Sequence, residues 1–218
     1  MDELIRTIAV YALPVIFAIT LHEAAHAYAA RYLGDSTAYL QGRMSLNPVK
    51  HIDPFGTIVI PVLLYVATSG AFLFGYAKPV PVDYGNLRKP KRDMAWVALA
   101  GPAANFAMAL LWMIFAVLLA LVGIDEEFFS RMAQAGVLTN LVMLAFNLFP
   151  IPPLDGGRVL TSILPHRYAY KFAQIEPYGF FIVMALVLLK VLYFWMVPVM
   201  AAAHAVLKIM ILPLTLFL

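Results

Sequence analysis

From Met94 to Val122 the chain carries no charged side chain. An α-helix needs about 20 apolar residues to cross the hydrocarbon core of a bilayer, and this run is one of several. Others cover about Leu4–Leu33, Phe55–Phe74, Met132–Phe149, Tyr178–Trp195 and Val197–Phe217. Backbone polar groups in lipid must be paired within the segment, so runs of this length read as helices. Only 12% of the residues are charged and 63% are hydrophobic, against about 25% charged in soluble domains; that leaves too little polar surface to cover a globule. The pattern predicts an all-α polytopic membrane protein with five to six transmembrane helices. Residues 1–218 read as a single membrane-embedded domain, with a motif-bearing core at about 4–160 and a C-terminal helical hairpin at about 178–217, around Pro198. There is no internal repeat, and there is no room for an appended soluble domain.

The net charge of +3 comes from basic residues lying in the loops, which points to membrane topology and excludes a nucleic-acid partner. Lys78, Arg88, Lys89, Lys91 and Arg92 place residues 75–93 on the cytoplasmic side, and Arg158, Arg167 and Lys171 do the same for 155–177. The acidic loop 123–131 is then external. Without cysteine there is neither a disulfide nor a thiolate site. Asp2 and Glu3, and an apolar run that continues past Thr20, argue for a retained helix and against a cleaved signal. A short β-prone piece is expected at Thr37–Leu40.

Inside the first span stands "LHEAAH", Leu21–His26. Each ionisable group in a span costs about 2.5–3.5 kcal/mol on the insertion scale and marks function by default. Residues four apart share a helical face, so His22 and His26 can address one ion. Glu23 lies beside that face, placed to take a proton from an activated water. HExxH on a helix is a zinc-hydrolase pattern on this ground. The bland alternative is helix–helix hydrogen bonding at a coincidental spacing. A catalytic zinc usually needs a third protein ligand. It is best sought in "NLFPIPPLDGGRVL", Asn147–Leu160, where prolines break the fourth helix and Gly156 and Gly157 let the chain turn, presenting Asp155. Taken alone, the same residues also read as an ordinary surface turn.

"HEAAH", then "AGPAANF" at Ala100–Phe106, then "NLFPIPPLDGG" resemble, in that order, the site-2 protease family of intramembrane zinc metalloproteases. The resemblance implies one zinc ion per chain held by His22, His26 and Asp155, with Glu23 as general base. Asn147 matches the asparagine that holds substrate backbone in that family, and Asn105 reads as a lesser polar helper in substrate binding. It also implies an endopeptidase that cleaves transmembrane segments of membrane-protein substrates in regulated intramembrane proteolysis. The expected setting is the cytoplasmic membrane of a prokaryote, with the lipid bilayer and a substrate helix as partners. Larger members carry PDZ or CBS domains; this chain reads as a minimal member, regulated through its membrane core or a separate partner.

Simple alternation would send the histidines and Asp155 towards opposite leaflets, and one ion cannot be shared across much of a core about 30 Å thick. Residues 55–74 are therefore expected to form a re-entrant hairpin, with a full crossing as the alternative. Extended backbone around Thr37–Leu40, or the Pro/Val run at 79–82, could pair with an unwound substrate as an added strand. His51 sits near the expected entrance, His166 in a basic loop, and His204 and Lys190 among the last apolar residues. The rival function is a non-hydrolytic membrane metal-binding or transport protein, but neither a path of intramembrane carboxylates nor an inverted repeat supports it.

Overall fold

A computed structural model describes residues 2–60, 63, 66 and 77–215. Eight α-helices are delimited among them. They are α1 (Asp2–Leu33), the single turn α2 (Thr37–Leu40), α3 (Pro90–Leu121), α4 (Glu127–Asn147), α5 (Asp155–Ile163), α6 (His166–Ala173), α7 (Gly179–Leu188) and α8 (Val191–Thr215). Among the described residues, four stretches are long and apolar enough to cross a membrane: Ile5–Leu33, Pro90–Leu121, His166–Leu188 and Val191–Thr215. The third of these is interrupted by a 3₁₀ turn at Glu176–Tyr178. The α4 helix forms where a span was expected but is not among the four. Glu127, Arg131, Gln134, Asn140 and Asn147 dilute its apolarity; packed against α1, α3 and α8, it needs less apolar surface of its own.

The bundle is inverted relative to a soluble protein. Ile5, Ile16 and Phe17 on α1, Leu111 and Leu118 on α3, and Phe194, Ile209 and Leu212 on α8 face outward. The buried set includes His22, His26, Asn105, Asn140 and Asp155. Such a surface fits lipid as the solvent. Where lipid competes for apolar contact, helices associate through small residues that let backbones approach. The interfaces obey that rule: Ala18, Ala24, Ala27 and Ala30 on α1, Ala98 and Ala109 on α3, and Ala133, Ala135 and Ala145 on α4 are all buried. The central element is α3, which packs against α1, α4, α5 and α8.

Three expectations change. Among the described residues there is no strand, and Thr37–Leu40 is helical. Asp35 accepts hydrogen bonds from the N–H (3.0 Å) and hydroxyl of Thr37, which closes a helical turn on the spot. Arg31 lies 3.4 Å from the centroid of the Tyr39 ring and Ala38 is buried, so local bonding and packing override the β-propensity. The C-terminal reversal falls at Lys190, not at Pro198. Lys190 has φ of 58° while its N–H and that of Leu189 close α7 on Val187 and Ala185; Pro198 lies inside α8. At 10 residues, α7 is about 15 Å long, half a bilayer core, so it does not cross on its own. Of the expected hairpin at 55–74, Pro54–Val59 is a π-helical turn started by Asp53 accepting from Gly56 N–H at 2.7 Å. The greater part lies outside the described residues.

The segment 77–89 runs back along α1, pinned by its backbone. Lys78 N–H donates to the His51 carbonyl (2.9 Å), Asp83 N–H to the Asp35 carboxylate (2.9 Å) and Arg88 N–H to the Leu33 carbonyl (3.0 Å). Asp35 thus ties α2 and this segment to the end of α1, with Asn86 Nδ2 as a further donor at 3.3 Å. Burial alone would raise the Asp35 pKa; the donors of Thr37, Asp83 and Asn86 outweigh it and hold the carboxyl below its usual range. Its contribution is therefore complete above about pH 4 and is lost as pH falls through the lower folded value. Asp35→Ala should destabilise the protein by about 2 kcal/mol or more, read by thermal unfolding in detergent, and should flatten the loss of stability towards pH 3.

Candidate metal centre

Ala18, His22, His26 and Ala30 follow at intervals of four along α1 and are all buried, forming one ladder on the face turned to α3. The ring of His22 donates from Nδ1 to Asn105 Oδ1 at 2.6 Å, and that of His26 donates from Nδ1 to the Val97 carbonyl at 2.7 Å. Val97 and Asn105 both belong to α3. With both Nδ1–H groups engaged, each Nε2 carries a lone pair, and the two nitrogens lie 3.1 Å apart. Asp155 Oδ2 is 3.3 Å from each of them, and this buried oxygen has no hydrogen-bond donor.

Three electron-pair donors thus converge at 3.1–3.3 Å. Ligands about 2.0 Å from one tetrahedral ion stand about 3.3 Å apart, so the residues fit a divalent ion bound by two imidazoles and one carboxylate. A single shared proton would satisfy only two of the three atoms. The second-neighbour contacts have the form expected of ligating histidines, whose other ring N–H is held by an amide or carbonyl oxygen.

Asp155 reaches this point by a braced route. It is the first residue of α5, which starts after the proline run; Gly156 and Gly157 sit in its first turn. Their function is closeness rather than an unusual φ. A Cβ on Gly156 would overlap the Leu148 backbone, and one on Gly157 the backbone of Ile151 and Pro152. Leu154 is buried against Val183 of α7 and Leu192 of α8. Trp195 of α8 donates to the Ala145 carbonyl at 2.9 Å and meets Phe149 edge-on at 5.7 Å. The C-terminal helices, outside the recognised motifs, thereby buttress the loop that carries Asp155.

Glu23 lies beside the ladder, half-buried, its Oε2 accepting the Val80 N–H at 2.8 Å. Val80 comes from the pinned segment 77–89. Asn105 is fully buried behind His22, its Nδ2 donating to Ala18 O (3.3 Å) and Asn140 Oδ1 (3.0 Å). Asn147 is half-buried near the end of α4 and its Nδ2 donates to Met143 O at 3.0 Å, within its own helix. His51 is buried and bonded through Nε2 to Ser45 O at 2.8 Å; His166 and Lys190 are exposed and His204 is half-buried in α8.

Two contributors are not evident from residue type. Asn140, a buried amide on α4, joins the group through Asn105. Gly101 lets α3 lie against both rings, because a Cβ there would overlap His26 Nε2 and stand 2.5 Å from His22 Cε1. The "AGPAANF" motif contained the signal for Gly101, though not its reason. Gly101→Ala should therefore cost at least about tenfold in divalent-metal affinity, measured by chelator competition, with the helix content by circular dichroism retained.

The model of peptidase family M50 matches residues 10–136 and 125–190. The chain is 40% identical over 181 residues to the protein named "Putative zinc metalloprotease YwhC" of Bacillus subtilis, covering 79% of this chain and 77% of that one. It is 31% identical over 188 residues to "Putative zinc metalloprotease Rip2" of Mycolicibacterium smegmatis, covering 83% and 67%. A shorter likeness, 30% over 87 residues, links it to "Zinc metalloprotease MJ0392" of Methanocaldococcus jannaschii, covering 37% and 23%. No solved structure matches significantly. The chain thus belongs to peptidase family M50, the site-2 protease family of metalloproteases that its motifs resemble.

Proposed function

We propose that this chain is an intramembrane zinc endopeptidase that hydrolyses a peptide bond within or beside a transmembrane segment of another membrane protein, in regulated intramembrane proteolysis. The observation that carries the reading is the convergence of His22 and His26, on a helix apolar enough to cross a membrane, with Asp155 on one point. The names of the relatives supply the metal's identity as zinc. Bound there, zinc would polarise a carbonyl and acidify water, which peptide hydrolysis requires.

The chain's own residues do the rest. His22, His26 and Asp155 hold the ion. Glu23 takes the proton from the attacking water and delivers it to the leaving amine nitrogen. The Val80 N–H on Oε2 fixes the carboxylate's rotamer and leaves the other oxygen for the proton. Asn147 acts on substrate backbone, and the extended run at 79–82 offers a neighbour for a substrate segment that has unwound. Loop charge supports a site facing the cytoplasmic side, and the bacterial and archaeal relatives support a prokaryotic cell membrane as its setting.

The test is cleavage of reconstituted single-span substrates, together with bound-metal analysis. Glu23→Gln should retain metal and lose about 10²–10⁴-fold in rate. Asp155→Ala should lose both metal and activity. Equal rates in wild type and Glu23→Gln would end the hydrolytic mechanism.

A further inference from the structure

We infer that Asn140 is a positioning residue that sets the tautomer of His22, acting through Asn105. The inference rests on the metal-centre reading above. Its basis is a run of polar contacts crossing three helices. Asn140 Nδ2 donates to the Gly136 carbonyl at 2.8 Å. Asn140 Oδ1 accepts from Asn105 Nδ2 at 3.0 Å. Asn105 Oδ1 accepts from His22 Nδ1 at 2.6 Å. Both asparagines are fully buried.

The direction of this chain is not free. A backbone carbonyl only accepts, so Gly136 O requires Asn140 to turn its NH₂ towards it. Asn140 must then offer oxygen to Asn105, which must answer with its own NH₂ and show oxygen to His22. A second carbonyl, Ala18 O, favours the same orientation of Asn105 through a longer contact of 3.3 Å, beside the 3.0 Å bond to Asn140. Facing an acceptor, His22 must carry its proton on Nδ1, and the lone pair falls on Nε2, the atom that meets His26 and Asp155. Reversing either amide would set two acceptors against each other in an apolar interior and leave a donor unused. The neighbouring His26 reaches the same state by a single bond to Val97 O. Thus α4, which supplies no ligand, dictates the ligating nitrogen of a histidine on α1.

The prediction concerns metal affinity and tautomer rather than turnover. Asn140→Leu should lower zinc affinity by about 10–100-fold, measured by chelator competition on protein in detergent. Asn105→Leu should do the same, and the double variant should be no worse than Asn105→Leu alone, because the two act in series. In ¹⁵N spectra of histidine-labelled, metal-free protein, His22 should be the Nδ1–H tautomer in wild type and a mixture in Asn140→Leu. Asn140→Ser, which is smaller, carries the same expectation if the leucine variant fails to fold. Unchanged affinity, losses that multiply in the double variant, or an unaltered tautomer would overturn the inference. Absence of zinc binding by wild type would instead overturn the metal-centre reading, while the metal-free spectra would still decide the tautomer.

Discussion

Two imidazole nitrogens and a carboxylate oxygen presenting lone pairs to one point repel one another unless a cation stands among them. In an apolar bundle that repulsion is barely screened. Much of the described structure can be understood as the means of forcing these three atoms together. The α3 helix supplies both Nδ1–H acceptors and the glycine that lets it lie against the rings. The C-terminal helices brace the loop behind Asp155. Each support is a contact that would be weakened by even a small displacement, so the centre is preorganised by packing rather than by the ion alone.

The membrane setting explains why the supports take this form. Helices in lipid gain little from burying apolar surface against one another, so they meet through alanine and glycine and are registered by a few polar bonds. Asn105 and Asn140 provide that register between α1, α3 and α4. The same bonds that align the helices also direct the ring of His22, so helix packing and site chemistry share their residues.

The parts of this arrangement legible in the chain are those with short-range signatures. HEAAH is a four-residue interval on one helix, and the long apolar runs mark α1 and α3 closely, whereas α8 already begins at Val191, before its expected run. Asp155 was approachable because prolines and glycines announce an interruption in a helix, though pairing it with histidines some 130 residues away needed a family resemblance. Other features left weaker traces. Nothing in an isolated Asn140 distinguishes a relay from a solvated amide. The turn at Thr37–Leu40 depends on the side chain of Asp35, which a propensity reading ignores. The reversal at Lys190 uses a left-handed lysine, whereas Pro198, the stronger punctuation, is absorbed within a helix. The reduced apolarity of α4 reflects three packed neighbours that its own residues do not name.

One contact described above has an unusual genetic property. Glu23 and His26 are each oriented by main chain, through Val80 N–H and Val97 C=O. Main-chain groups survive nearly every codon change. At position 80, among natural amino acids, only proline deletes the donor, and there it would complete an unbroken run with Pro79 and Pro81. Alanine scanning across this segment would report a tolerant loop, although it holds Glu23 in place. The dependence would surface only with proline or with an ester in place of the amide.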